Sequence, residues 1–378
     1  MTKYFLFAFI AALGISFASA QVGFAADSPS SPPGQAAPNA ASHAGGMVLV
    51  STLEKPQNPR KLDEKDMAGY LFVYFKDQTH SAYFAISRDG YHFTDINGGQ
   101  PVFLGADLAE QKGVRDPHIT RGPDGGFYLA MTDLHINGQR AGYRTNQWER
   151  PQEKYGWGNN RAIVMMKSFD LIHWTHSDFR LDKAFPDLGD FGCAWAPETI
   201  YDEHKGKMMV YLSIRMGNDH CKLYYSYADD AFTKLETKPE LIMDDYAADG
   251  DIFKAGDKFI LHYVWDAKIW QAVSDRINGG YQPGKKRIDP EKVSTEAPNG
   301  FRRLGTDSYV LMYDAYGGGN MGFSETKDFV TYQDLGHFND GVMKGANFSR
   351  PKHGAITHLT LDELKAIKAH WNLDINLD

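Results

Sequence analysis

Three acidic residues stand at comparable points of a repeating pattern, each inside a short motif that precedes an apolar stretch. They are Asp116 in Val114-Arg-Asp-Pro-His-Ile119, Asp249 in Ala248-Asp-Gly-Asp-Ile-Phe253 and Glu296 in Thr295-Glu-Ala-Pro-Asn-Gly-Phe301. Two related motifs, Ala194-Trp-Ala-Pro-Glu-Thr-Ile200 and Lys352-His-Gly-Ala-Ile356, complete a set of five. Three carboxyls round one pocket suit general acid–base chemistry, and glycoside hydrolysis with inversion in particular. That reaction needs a protonated acid at the leaving oxygen and an ionised base for water, roughly 6.5–9.5 Å apart. A third carboxylate can raise the acid's pKa by like-charge repulsion. A lone Asp-Pro is usually only a turn. The shared position of each acid in its unit argues against chance.

Such residues need a scaffold that brings distant segments together. The apolar stretches have strand length, as in Tyr70–Phe75, Phe127–Met131, Lys207–Leu212, Lys258–Tyr263 and Ser308–Tyr313. Turn signals such as Gly122-Pro-Asp-Gly-Gly126 and Ala255-Gly-Asp257 separate them. A second signal recurs, a Ser followed by Asp and then an aromatic. It runs Ser87/Asp89/Phe93, Ser168/Asp170/Trp174, Ser226/Asp229/Phe232 and Ser324/Asp328/Phe329, with a weaker copy at Ser274-Asp275. Five such units predict an all-β fold, a five-bladed β-propeller. The inner strands of a propeller run the same way along its axis, so their N-terminal ends converge on one mouth. The fifth unit is incomplete after His353, whereas Tyr70 to Ile96 has strands but no opening motif. These two segments are expected to pair and close the ring, which removes a free edge. Leu361 to His370 reads as a short C-terminal helix with Thr360 as its N-cap.

Bulk features narrow the class. The chain has 378 residues, 13% aromatic, with a formal net charge of -8 and no basic patch, so a nucleic-acid partner is not expected. Residues 1–20 read as a secretory signal peptide, with Lys3, an apolar run to Phe17 and Ala18-Ser19-Ala20. Residues 21–46, rich in Ala, Pro, Ser and Gly, read as a flexible leader, and 47–378 as the propeller domain. The expectation is a periplasmic or secreted monomer with no membrane segment. Cys193 and Cys221 fall near the starts of the first and third strands of one blade. Those starts lie ~9.6 Å apart at ~4.8 Å per strand, against ~7 Å for a disulfide, so a bridge needs a local bend.

Taken in order, Arg115-Asp-Pro117, Trp195-Ala-Pro197, Asp249-Gly-Asp-Ile252, Glu296-Ala-Pro298 and Lys352-His-Gly354 resemble glycoside hydrolase family 43. The resemblance runs from about Met67 to about Leu361. It implies an inverting five-bladed propeller acting on arabinofuranosides, galactofuranosides or xylosides. It implies Asp116 as general base, Asp249 as pKa modulator and Glu296 as general acid. It implies no required cofactor and leaves room for a structural Ca2+ at the axis, with His353 as its ligand directly or through water. The fourth motif departs from the family's usual Glu-Gly-Pro. Asp251, two residues on in the same strand, is an alternative to Asp249 because strand alternation puts both on one face.

Trp195, Arg115, His135, Trp157, Trp265 and His353 are candidate sugar-binding residues. His135 and Trp157 belong to a long insertion in the first blade that also holds Tyr143, Trp148, Tyr155 and Arg161. Tyr246 and Asp133 are weaker rim candidates, and Glu198 is either a fourth pocket acid or a structural strand-start residue. The reading is an exo-acting furanosidase (α-L-arabinofuranosidase or β-D-galactofuranosidase) or a β-xylosidase on oligo- or polysaccharide. The alternatives are a non-catalytic sugar-binding propeller and a retaining fructosidase-like hydrolase. The latter would typically carry Asn-Asp-Pro-Asn and Glu-Cys motifs, which are absent.

Overall fold

The computed structural model describes residues 46–56, 59, 61–283 and 287–377. The expected signal segment 1–20, and the leader up to residue 45, lie outside the described residues. Five antiparallel sheets form the blades. The first runs outward from Val114–Arg121 through Phe127–Asp133 and Ala162–Ser168 to His173–Arg180. The second has Phe191–Asp202 innermost, then Lys207–Met216 and Cys221–Tyr227. The third has three strands, Ala248–Ala255, Lys258–Trp265 and Lys268–Ser274. The fourth runs from Glu296–Arg302 through Tyr309–Ala315 and Asn320–Thr326 to Gln333–His337.

The fifth blade is made from both ends of the domain. Its inner strand, Lys352–Thr360, pairs antiparallel with Met67–Lys76, in the register Tyr74 opposite Gly354 and Phe72 opposite Ile356. Ser81–Ser87 and His92–Asp95 follow outward. The expected closure is therefore present, and the N-terminal strands are not a sixth blade. Each inner strand packs on the next and the fifth packs on the first. The hydrophobic core is divided accordingly, with one buried cluster between each pair of neighbouring blades. Trp174, Phe84 and Phe103, edge to face, fill the interface of the fifth and first blades.

The Ser/Asp/aromatic signal proves to be the turn into the fourth strand. Asp89 Oδ1 accepts the amides of Tyr91 and His92, and Asp170 Oδ1 those of Ile172 and His173. Asp328 Oδ1 does the same for Val330 and Thr331. An Asp side chain makes such a turn by imitating the backbone. The weak copy, Ser274-Asp275, belongs to the third blade, which has three strands among the described residues. The C-terminal helix spans Leu361–Trp371, capped as expected by Thr360, whose Oγ1 accepts the Glu363 amide at 3.3 Å. Glu363 returns a bond to the Thr360 amide at 2.8 Å and holds Arg121 of the first blade. Among the described residues no helix is long and apolar enough to cross a membrane.

Candidate active site

Each inner strand is irregular at its motif. The register jumps between Arg115 and His118, Trp195 and Glu198, Ala248 and Asp251, and Glu296 and Asn299, three residues stepping against two on the neighbouring strand. This is a β-bulge, which adds one unpaired residue and re-aims side chains. The residue entering each bulge has a left-handed φ: 52° at Asp116, 44° at Ala196, 44° at Asp249 and 58° at Ala297. Such a conformation costs a non-glycine residue free energy and needs support from its surroundings. Pro117, Pro197 and Pro298 occupy the next position, where the missing amide breaks no ladder bond. Gly250 takes that place in the third blade, because a Cβ there would meet Leu223 at 2.6 Å. In the fifth blade the jump lies between Lys352 and Gly354, which makes His353 the extra residue.

Neighbouring blades satisfy the amides that the bulges release, as buried backbone groups require. Ala196 donates to Thr132 Oγ1 at 2.8 Å and Asp249 to Ser213 Oγ at 2.9 Å. One level further along the strands, Thr199 donates to His118 Nδ1 at 3.1 Å and Ile252 to the Tyr211 hydroxyl at 2.8 Å. At the same level Gly300 donates to Asp251 Oδ2 at 2.6 Å and Ile356 to Asn299 Oδ1 at 3.0 Å. Asp251 is thus a seam residue between the third and fourth blades, 3% exposed. The expectation that Asp249 and Asp251 share a face fails, because the bulge between them breaks strand alternation.

At the mouth, Asp116 Oδ2 accepts from the Thr132 hydroxyl at 2.7 Å, and Oδ1 lies 3.2 Å from His353 Nδ1. Arg115 Nε is 4.0 Å from the same Oδ1, while its Nη1 donates to Asp77 at 2.6 Å. Burial would raise the Asp116 carboxyl, but His353, Arg115 and Thr132 outweigh it and hold it down at about 2. Asp249 moves the other way. Burial lifts it, His353 offsets part of the rise, Glu296 and Asp116 add to it, and it reaches about 7. The Ala297 amide, in the bulge next to Glu296, takes back a little of the rise. Glu296 is raised as well, by burial first and then by Asp314, against Lys352, His353 and Arg115. His353 is raised despite its burial, because Asp116, Asp249 and Glu296 surround it. The mouth therefore holds one firmly ionised carboxylate, two carboxyls pushed toward neutrality and an imidazole shifted toward its charged form among them.

The aromatic candidates divide. Trp195 is half-buried, its Nε1 donating to Gly158 O at 2.9 Å, with Trp157 edge-on at 5.8 Å and the Arg215 guanidinium 4.8 Å from its ring. Trp157 is 49% exposed and is held up by Arg215, which donates to the carbonyls of Tyr155 and Trp157. Trp265 and Tyr246 are exposed and line a cleft of about 610 Å3 that reaches Ala248, next to Asp249. His135 is closed in instead, stacked on His80 at 3.9 Å and edge-on to Tyr143. Arg161 is engaged by Glu149, and Trp148 is buried. Asp133 is no rim residue. It is buried and accepts the Gln111 amide at 2.9 Å. Glu198 is buried too, accepting from the Tyr211 hydroxyl at 2.9 Å beside Asp251. Cys193 and Cys221 are free thiols, opposite the same Arg215 on its two neighbouring strands, with Sγ atoms 3.8 Å apart.

Only one group of three ligand-type residues converges among the described residues, His118, Glu198 and Asp251, with atoms within 4.8 Å of one another. It does not fit calcium. The Thr199 amide occupies His118 Nδ1, so the neutral ring carries its proton on Nε2, the atom facing Glu198 at 3.8 Å. Glu198 and Asp251 already accept from Tyr211 and Gly300, whereas Ca2+ takes about 6–8 oxygens. His353 is not in this group, and its Nδ1 faces Asp116. Exhaustive treatment with EDTA should therefore leave both activity and melting temperature unchanged. A stoichiometric metal found by elemental analysis, with a lower melting temperature after its removal, would contradict this reading.

Sequence reasoning passed over Thr132, Asp77 and Asp314, and quoted Lys352 without a role. Thr132 and Asp314 stand one residue before the ends of the second strands of their blades, opposite Arg115 and Glu296. The available signal was topological: an antiparallel second strand ends where the inner strand begins, at the mouth.

A five-bladed propeller whose inner-strand bulges set a carboxylate held ionised against two shifted toward the neutral form is suited to general acid–base chemistry. The family model described as "Probable glycosyl hydrolase domain", related to glycoside hydrolase family 43, matches residues 65–365, and the chain belongs to that family. An α-L-arabinofuranosidase of Bifidobacterium longum subsp. longum is 26% identical over 186 residues, covering 47% of this chain. The matched region spans 16% of that relative's length. A family 43 enzyme of Xanthomonas citri complexed with xylose is 12% identical, with a TM-score of 0.44 over 60% of this chain and 74% of its own. A β-xylosidase/α-arabinofuranosidase from a compost metagenome is 14% identical, with a TM-score of 0.46 over 65% and 91%.

Proposed function

We propose that this domain is an inverting glycoside hydrolase in which Asp116 is the general base and Glu296 the general acid. The observation that carries this is the opposite drift of the two groups at one mouth, Asp116 down to about 2 and Glu296 upward. Environments that push two titratable groups apart mark the base and the acid. They stand on the first and fourth blades, with His353 of the fifth between those blades, an arrangement that suits a water on the face opposite the leaving group. Asp249 adds negative charge beside Glu296. The substrate is an oligo- or polysaccharide side chain met outside the cytoplasm, in keeping with the signal-like N-terminus. The arabinofuranosidase relative favours α-L-arabinofuranosides first, with β-D-galactofuranosides and β-D-xylosides next.

Assays on the three nitrophenyl glycosides identify the sugar. Proton NMR of the earliest product should then show the anomer opposite to that of the substrate. A retained anomer would refute the role given to Asp116, and no turnover of any glycoside would favour a binding propeller.

A further inference from the structure

Glu296 does not sit alone at the start of the fourth blade. Asp314 lies directly opposite it in the strand register, the last pair before the bulge. Directly opposed side chains have Cβ atoms about 4.5–5.5 Å apart, and like charges there repel. Asp314 is 1% exposed, so water does little to relieve that repulsion. Lys352 reaches across from the fifth blade to meet both. Its Nζ is 3.0 Å from Asp314 Oδ2, 3.6 Å from Glu296 Oε1 and 3.8 Å from Asp77 Oδ2.

We propose that Asp314 and Lys352 are a positioning pair that fixes the protonation of Glu296, a role the family resemblance assigns to Asp249. The proposal rests on the reading of Glu296 as the general acid. Asp314 favours the protonated form, and Lys352 keeps the two carboxyls from both being neutral. Asp249, on the third blade, also repels Glu296, so Asp314 and Lys352 act beside it rather than in its place. The other charges at Glu296 are His353 from the fifth blade, Arg115 from the first and Asp249 from the third, with Asp116 and Asp77 beyond them. Burial and Asp314 raise Glu296 most, and Lys352 is the first charge opposing them.

The experiment is the pH profile of kcat/KM on a glycoside with a poor leaving group, for which the acid must be protonated and the basic limb reports it. Asp314→Asn removes a negative charge and should move that limb to lower pH by about one unit. Lys352→Met removes a positive charge and should move it to higher pH by a similar amount, while Lys352→Arg should leave it in place. A residue needed only for folding could lower kcat but would not shift the limb in opposite directions. Limbs that stay put, or move together, overturn the proposal. If Asp314→Asn fails to fold, the contrast of Lys352→Met with Lys352→Arg decides alone. Glu296→Gln is the control. Loss of the basic limb in that variant keeps the acid assignment, whereas its survival means the limb belongs to another group and the assignment itself fails.

Discussion

Glu296→Ala should lower kcat/KM on an unactivated oligosaccharide by roughly 10²- to 10⁴-fold, the usual worth of general acid catalysis. On a dinitrophenyl glycoside of the same sugar the loss should be far smaller. The difference arises because a nitrophenolate leaves without protonation, whereas a sugar alkoxide does not. The structure gives Glu296 the means to hold a proton, since it is half-buried at the edge of the bulge and stands opposite Asp314. Its neighbours Asp116, Thr132 and His353 are bonded to one another independently of it, so the base and the pocket should survive the substitution. Measuring both substrates in parallel decides the matter. Equal losses on the two would remove Glu296 from the acid role. Glu198, the earlier alternative, would inherit it only if its bond to Tyr211 opened toward the mouth.

Asp116→Asn should behave differently, with a loss of roughly 10²- to 10⁴-fold on both substrates, because water must be activated whatever group leaves. The substitution keeps the shape of the side chain, and the amide oxygen can still accept from the Thr132 hydroxyl. What disappears is the negative charge that His353 and Arg115 hold ionised down to about 2. A base so far below neutrality is fully charged at working pH, and its weakness as a base is offset by fixed geometry from three partners. Full activity of Asp116→Asn on the dinitrophenyl glycoside would exclude it as the base. Thermal melting of the variant is an informative companion measurement. The ionised Asp116 contributes stability above the unfolded carboxylate value, and that contribution is lost only as pH falls through about 2.

Much of this could be read along the chain. The motif set, the incomplete fifth unit and the orphan strands from Tyr70 to Ile96 were enough to predict ring closure, because an unpaired blade edge is costly. The Ser/Asp/aromatic signal marked real turns, since an Asp that accepts the amides two and three residues on is a local device. The Thr360 cap is local in the same way. Rim roles were harder to read. His135 and Asp133 looked available because they are polar and near the insertion, yet the fold turns both inward.

The sequence by itself determined which residues enter the mouth, since each inner strand begins with its motif and propeller topology gathers those beginnings. It could not separate Asp249 from Asp251. That choice is made by the bulge at Ala248–Asp251, which exists because the neighbouring blade offers Ser213 and Tyr211 to the amides it frees. Nor could it rank the carboxyls by proton affinity. Asp116 and Glu296 differ because one faces His353, 237 residues away in the chain, and its neighbour Arg115, while the other faces Asp314, 18 residues on across a strand pair. Charge interactions fall off with distance in space and rise with burial, and neither quantity is set until the blades have closed.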